Sequence, residues 1–431
     1  MIDLDLVREH PEQVEANLAR RRRPEYLTQF AAVRSLDTDW RASVRIADDL
    51  RRRRNELSRQ IAEARTHGGA TEALAAEAKA LPERMREVEA REAELRDARD
   101  RALRRLPNLL DESVPYGRDD SENVVVATWG EPGPIRPDLL AHAELLERLG
   151  MADFDRAHRV SGAGFYYLFG DFVLLDLALQ RFALDLLVAR GFTPVAPPYL
   201  LRRAPYEGVT DLADFENVMY RVQDEDLYLI ATSEHPLAAL HVGELLDEDD
   251  LPLRLAGVSP CFRKEIGGHG VDQKGIFRTH QFQKVEQFAY ARPEESPALL
   301  EELRANAEEV FRQLGVPYRV VNVCTGDLGT VAAQKYDIEA WFPRQRAYRE
   351  VVSCSNCTDY QARRLGIRLG KAGKPGKRVP HTLNSTAVAT SRGLAVILEQ
   401  YQLPDGTVEV PTVLRPYLGG KDVLRPIGRP H

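Results

Sequence analysis

The 431-residue sequence predicts an α+β fold: an antiparallel-sheet domain preceded by an N-terminal antiparallel α-helical coiled-coil hairpin. Three observations predict it. Apolar residues recur on three- and four-residue spacings in two runs separated by His67-Gly68-Gly69. Several later segments alternate as strands without a regular βαβ rhythm. Neither a GxGxxG nor a GxxxxGK[ST] phosphate loop occurs, so a doubly wound nucleotide fold is not indicated.

Residues 1–22 read as a short helical lead, with Pro11 near a helix start. In the first run Leu36, Trp40, Ala47, Leu50, Leu57, Ile61 and Ala64 share a face, interrupted by Ser43 and Arg54. In the second, Leu74, Ala78, Leu81, Met85, Val88, Leu95, Ala102 and Leu106 do so, with Glu92 and Arg99 as exceptions. At 1.5 Å per residue, ~30 residues per helix project roughly 45 Å. Pro82 should kink the second helix or mark its start. Pattern alone also fits a self-contained helical hairpin or a dimerisation stalk. The expected organisation is an N-terminal domain over 1–106, a linker over 107–135 and a mixed domain over 136–431. In the last, Leu175, Ala178, Leu179, Phe182, Leu186 and Ala189 form one helix face, ended by Gly191. Residues 192–199 read as an edge strand or an extended segment because of their prolines. Residues 227–230, 254–258, 283–290, 318–322 and 407–411 read as further strands. The basic run 371–378 reads as a solvated surface loop.

Composition is globular: 43% hydrophobic and 29% charged. No apolar stretch reaches the roughly 18 residues of a membrane span. The start, MIDLDLVREH, carries acids where a signal peptide has its basic region, so a cytoplasmic protein is expected. Cys261, Cys324, Cys354 and Cys357 are too few for a disulfide framework. A net charge of −7 argues mildly against nucleic acid, but the charge is uneven. Arg45, Arg51, Arg52, Arg54 and Arg59 crowd the first coiled-coil helix.

Three segments concentrate polar groups within strand-like patterns. CFRKE, a glycine-rich excursion and IFRTHQFQKVE would bring Arg263, Arg278, Phe282 and Glu286 to one sheet face, with Lys284 and His280 beside them. Guanidinium groups beside a ring suit a nucleotide, although a salt-bridged solvent-facing hairpin has the same pattern. YREVVSCSNC offers Glu350 for a magnesium ion on a nucleotide. Its CxxC lacks the second ligand pair of a structural zinc site, so no structural zinc is expected and buried thiols are the simpler reading. HTLNSTAVATSR places Arg392 in the first turn of a helix, where a cation opposes the dipole and fits better as an anion ligand than as a stabilising device.

FRKE followed by FRTHQFQKVE resembles motif 2 of the class II aminoacyl-tRNA synthetases, and HTLNSTAVATSRGLAVILEQYQ with VEVPTVLRPYLGG resembles motif 3. REVVSCSNCTDYQARR and YLIATSEHPLA are similar to segments of the seryl member, as are the lead MIDLDLVREHPEQVEANLARR and LPNLLDESVPYG. VSGAGFYYLFGD with PPYLL resembles its motif 1 region, and the likeness spans nearly the whole chain.

The resemblance implies an ATP-dependent serine–tRNA ligase with an antiparallel class II catalytic domain. It implies that Thr232, Ser233, Glu234, Glu286, Asn384 and Thr386 surround L-serine. Arg263 would bind its carboxylate and the α-phosphate. Lys264, Glu265, Arg278, Thr279 and Phe282 would surround the adenine nucleotide, with Glu265 on the amino group and Phe282 against the ring. Glu350, Val351, Val352 and Ser353 would meet ATP, Glu350 and Ser353 through Mg²⁺, and Arg392 the γ-phosphate. Arg263, Glu286 and Arg392 are the expected catalytic groups. The resemblance further implies a homodimer joined through motif 1. Its hairpin would grip the long variable arm of tRNA(Ser), and of tRNA(Sec) if that is a second substrate, through Arg45, Arg51, Arg52, Arg54 and Arg59. Departures are Val271 and Gln273 in the motif 2 loop, TSE for TAE, and NST for NGS. Two rivals are a paralogue that activates serine for a carrier or small-molecule pathway, and a non-catalytic RNA-binding protein. The hairpin opposes the first, and the retained Arg263, Glu286, Glu350 and Arg392 oppose the second.

Overall fold

The computed structural model describes all residues except 68, 137, 212–215, 266–274, 372–375, 377 and 429–431. Val271 and Gln273 therefore lie outside the described residues, as do Gly68 of the expected turn and most of the basic run 371–378. Two compact units divide the chain, residues 1–109 and 110–431.

The first unit is helical. Helices α1 (Leu4–Glu9) and α2 (Pro11–Ala19) lead into α3 (Pro24–Thr66) and α4 (Glu72–Arg104). Pro11 and Pro24 each sit in a first turn, where a missing N–H costs nothing. Pro82 does not start the second helix, which begins ten residues earlier and runs through it. Leu50, Leu57 and Leu81 are buried between α3 and α4, with Leu74, Ala78, Met85 and Val88 packed around them. Nearer the base, Ile2, Val7, Val14, Leu18, Phe30, Val33, Leu103 and Leu106 form a separate core.

Arg99, an exception to the heptad pattern, proves to be an inward-facing cation. Asp37 is only 4% exposed and Arg99 6%. Asp37 accepts from Arg8 at 2.9 and 2.7 Å and from Arg99 at 3.2 Å, while the Arg99 guanidinium lies 4.5 Å from the Trp40 ring centre. Burial pushes the Asp37 carboxyl upward, but the bonds and charges of Arg8 and Arg99 outweigh it and hold the group below its ordinary value. Its contribution is therefore complete above the ordinary carboxylate range and lost as pH falls below that range, through the lowered value of the folded state. Asp37→Ala should destabilise this unit by about 3 kcal/mol, because two guanidinium groups lose a buried partner. The fall in the urea midpoint of the helical signal measures it.

The second unit is built on an eight-stranded sheet: β1 (Val124–Trp129), β2 (Thr193–Val195), β3 (Leu253–Phe262), β4 (Gln281–Ala291), β5 (Tyr318–Asn322), β6 (Gln334–Phe342), β7 (Ala347–Thr358) and β8 (His381–Ala389). Their order is β1-β5-β6-β7-β8-β4-β3-β2. Every pairing is antiparallel except β2 with β3. The proline-rich segment lies at a sheet edge as expected, since Pro194 has no N–H to donate to a second neighbour. Residues 124–129, within the stretch read as linker, form the other edge. The expected strands near 228 and 408 are two-residue pairings outside this sheet.

One sheet face is covered by helices α5 (Asp171–Ala189), α7 (Ser296–Gln313) and α9 (Thr390–Gln400). Gln287 of β4 illustrates this face: its amide donates to the Leu303 carbonyl of α7 at 3.0 Å. Two further helices, α6 (Glu234–Ala238) and α8 (Tyr360–Leu365), carry groups of the opposite side. Gly257 admits α6 to the sheet, since a Cβ there would lie 2.8 Å from the Ser233 Cβ and the Leu237 Cδ1.

Candidate active site

A cavity of about 530 Å³ opens beside β3, β4, β7 and β8, in the size range of small-molecule sites. Strand alternation explains most of its lining. Phe282, Lys284 and Glu286 project from one side of β4, and Asn384 and Thr386 from β8.

Two bulges adjust that alternation. On β7, Val352 pairs with Ile338 but Glu350 pairs with Glu339, leaving Val351 as an extra residue. Simple period two would separate Glu350 from Ser353; the bulge returns both to the cavity wall. On β8, Ala387 is the extra residue between the pairs of Thr386 with Glu286 and Val388 with Val285. Beyond it Ala389 lines the cavity, and α9 follows with Ser391 and Arg392.

Most of the expected site residues converge here. Thr232, Glu234, Arg263, Lys264, Glu265, Arg278, Thr279, Phe282, Glu286, Glu350, Val351, Ser353, Asn384, Thr386 and Arg392 all line the cavity. The Ser233 and Val352 side chains do not. The Ser233 hydroxyl is wholly buried and bonded to Ser259 Oγ at 2.6 Å, and Val352 packs in the main core. His280 also stands apart, against Tyr220 and Phe165, because β4 begins only at Gln281.

At one end sit groups suited to phosphate and a flat ring. Arg263 donates from Nε to the Ala231 carbonyl at 3.1 Å, and its guanidinium lies 5.3 Å from the Phe282 ring centre. Arg392 donates to the Glu350 carbonyl at 2.9 Å, approaches its carboxylate at 3.2 Å, and lies 5.5 Å from the Phe277 ring centre. Burial pulls the Glu350 carboxyl upward, but the charges of Arg392, Lys335 and Arg263 outweigh it, so the group is held ionised below its ordinary value.

At the other end is a denser polar group. Glu234 accepts from Gln361 Nε2 at 2.8 Å, and Gln361 accepts from Thr382 at 2.7 Å. Burial, reinforced by the Glu286 charge, pushes the Glu234 carboxyl up to about 7 against the opposing pull of Lys284, Gln361 and Arg263. Thr386 donates to Glu286 Oε2 at 3.2 Å. His235, bonded to the Tyr206 hydroxyl at 2.8 Å, is pushed down to about 3 by burial and is neutral. Cys357 is buried with Asn384 Nδ2 3.6 Å from its sulfur, and burial raises its thiol well above the usual value.

Among the described residues no group of three His, Cys, Asp or Glu side chains could hold a metal by itself. Glu350 and Ser353 offer oxygen donors of the kind a hard divalent cation takes when a nucleotide supplies others.

Several lining residues were not singled out in the sequence. Phe277, His235 and Lys335 sit within otherwise ordinary strand or helix patterns. Lys284 was placed on the right face but given no role.

Residues 1–110 of the chain match the seryl-tRNA synthetase N-terminal domain family. Residues 218–401 match the tRNA synthetase class II core domain family (G, H, P, S and T). The chain is 57% identical over 425 residues to the serine–tRNA ligase of Methanoculleus marisnigri, covering 98% of this chain and 100% of the relative. Identity to the serine–tRNA ligase of Methanocella arvoryzae is 56% with the same coverage. The fold superposes with a TM-score of 0.94 on the crystal structure of seryl-tRNA synthetase from Pyrococcus horikoshii complexed with ATP, at 49% identity over 99% of this chain and 100% of that one.

Proposed function

The chain belongs to the seryl-tRNA synthetase family, an ATP-using serine–tRNA ligase, and from this premise we propose how its cavity divides the work. Serine lies among Thr232, Glu234, Glu286, Asn384 and Thr386, with the main chain at Ser233 beside it. ATP lies among Arg263, Lys264, Glu265, Arg278, Thr279, Phe282, Glu350, Val351, Ser353 and Arg392, with Val352 contributing through its backbone. The observation that carries this reading is the convergence of two buried carboxylates, two hydroxyls and an arginine beside an aromatic ring within one cavity.

Glu234 accepts the serine ammonium, and Glu286 with Thr386 receives the hydroxyl. Arg263 holds the carboxylate against the α-phosphate, and Phe282 offers its ring to adenine. A carboxylate oxygen of serine attacks the α-phosphorus in line, and the bond to the pyrophosphate oxygen breaks. A ribose hydroxyl of the terminal tRNA nucleotide then attacks the seryl carbonyl, and AMP leaves. No side chain becomes covalent; the residues act by position and charge. Glu350 and Ser353 would hold Mg²⁺ on ATP, which would supply counter-charge to the phosphates.

Residues 1–106 bind tRNA(Ser) through the arm, and 136–431 form the catalytic domain, to whose sheet residues 124–129 of the expected linker 107–135 add the edge strand. The five arginines expected to meet phosphate are all exposed on α3. Arg51, Arg52 and Arg59 are paired with nearby acids, and such surface pairs exchange at little cost for phosphate. A homodimer is supported by Val173, Leu174, Leu177 and Val188, exposed apolar groups on α5. Among the described residues no helix is long and apolar enough to cross a membrane, which agrees with a cytoplasmic enzyme.

ATP–pyrophosphate exchange with a panel of amino acids tests the assignment. Exchange should require serine and be weak with alanine, which leaves Glu286 and Thr386 unpaired. With serine, kcat/KM should fall as pH drops through about 7, where Glu234 takes up a proton and stops accepting the ammonium. Exchange without serine dependence, or a flat profile through neutrality, would reject it.

A further inference from the structure

Lys284 is a buried cation that the division of labour above leaves unused. Its side chain is 7% exposed, at the centre of the serine end. Its ammonium donates to Thr232 Oγ1 at 2.6 Å and lies 2.6 Å from Glu286 Oε2. Thr386 donates to that same Oε2 at 3.2 Å. One amine therefore ties α6's approach segment to β4 and holds two of the groups assigned to the substrate.

We propose that Lys284 is a positioning residue for serine: it fixes Thr232 and Glu286, occupies Glu286 Oε2 so that the substrate hydroxyl is received at Oε1, and balances the paired carboxylates. This rests on the serine site described above and deepens it. The charges require such a residue. Glu234 and Glu286 are two acids in one pocket, and the Glu286 charge disfavours the ionised form of Glu234. Arg263 is committed to the substrate carboxylate. Lys284 is the cation that remains to oppose this effect at Glu234 before serine brings its ammonium. On β3 and β8 its direct partners in the sheet, Ser259 and Ala389, carry no charge. The other titratable groups facing it are Glu234 and His235 on α6 and Cys261 on β3, and only Glu234 among these is an acid near neutrality.

The test is steady-state exchange with full-length Lys284→Met. KM for serine should rise roughly 30-fold, the scale of lost hydrogen bonds to a charged group. KM for ATP should stay within about threefold, since the nucleotide end is untouched. The acid limb of the serine profile should move to higher pH, because Glu234 loses a neighbouring cation that favours its ionised form. In Lys284→Ala, added methylammonium should restore part of the loss. Lys284→Gln, which keeps a donor of similar reach, carries the same measurements if the methionine variant does not fold. A folded variant with unchanged KM for serine overturns the proposal. Equal losses for serine and ATP, with no shift in the profile and no methylammonium rescue, also overturn it and leave a purely structural lysine. Glu286→Gln separates the two levels. If it leaves KM for serine unchanged, the serine-site reading itself fails; if it raises KM while Lys284→Met does not, only the role of Lys284 fails.

Discussion

Arg263→Ala should lower serine-dependent ATP–pyrophosphate exchange by roughly two to three orders of magnitude, the scale seen when one preorganised transition-state donor is removed. The expectation follows from where Arg263 stands. Its Nε is anchored on the Ala231 carbonyl and its guanidinium lies 5.3 Å from the Phe282 ring centre, so the remaining N–H groups are held in place. In-line attack gathers negative charge between the serine carboxylate and the α-phosphate, and a fixed planar cation there needs no reorganisation. The loss should fall mainly on kcat, because the interaction strengthens as the bond forms. Arg263→Lys should recover little, since an ammonium cannot reproduce two parallel N–H bonds. A variant that retains more than a tenth of the wild-type rate would remove Arg263 from the reaction.

Shortening the arm should separate the two half-reactions. Cutting at 36–104, as the heptads alone suggest, would take away Asp37, Arg99 and Leu103, which belong to the base of the helical unit. Ser43 and Val88 mark a better crossing, since the Ser43 hydroxyl reaches the Val88 carbonyl at 3.5 Å. Replacing residues 47–85 by a short glycine turn keeps that base and removes Arg51, Arg52, Arg54 and Arg59. Exchange should be unchanged. Charging of tRNA(Ser) should fall by roughly three orders of magnitude, as expected when several phosphate contacts vanish together. In the full-length enzyme, charging should weaken with salt far more steeply than exchange. Full charging by the shortened enzyme would refute the role of the arm.

Much of this was legible in the residues. The coiled coil announced itself because its burial is periodic, and a heptad seam repeats whatever its neighbours are. The sheet residues Phe282, Lys284 and Glu286 were placed on one face because strand side chains alternate with period two. Where that periodicity is interrupted, legibility ended. Nothing local marks Val351 or Ala387 as extra residues, yet the two bulges decide that Glu350 joins Ser353 and that Ala389 follows Thr386 at the cavity. Ser233 was read with its neighbours in TSE, but packing against Ser259 takes its side chain elsewhere.

By itself the order of residues determined the two-part architecture, the chemistry each segment carries and the family to which those segments belong. Tertiary structure alone decided the partnerships: Arg99 with Asp37 across 62 residues, and Lys284 with Thr232 across 52. The reason is physical. A local pattern records which side of an element is buried, whereas the cost of burying a charge is settled only by whichever distant group folding brings beside it.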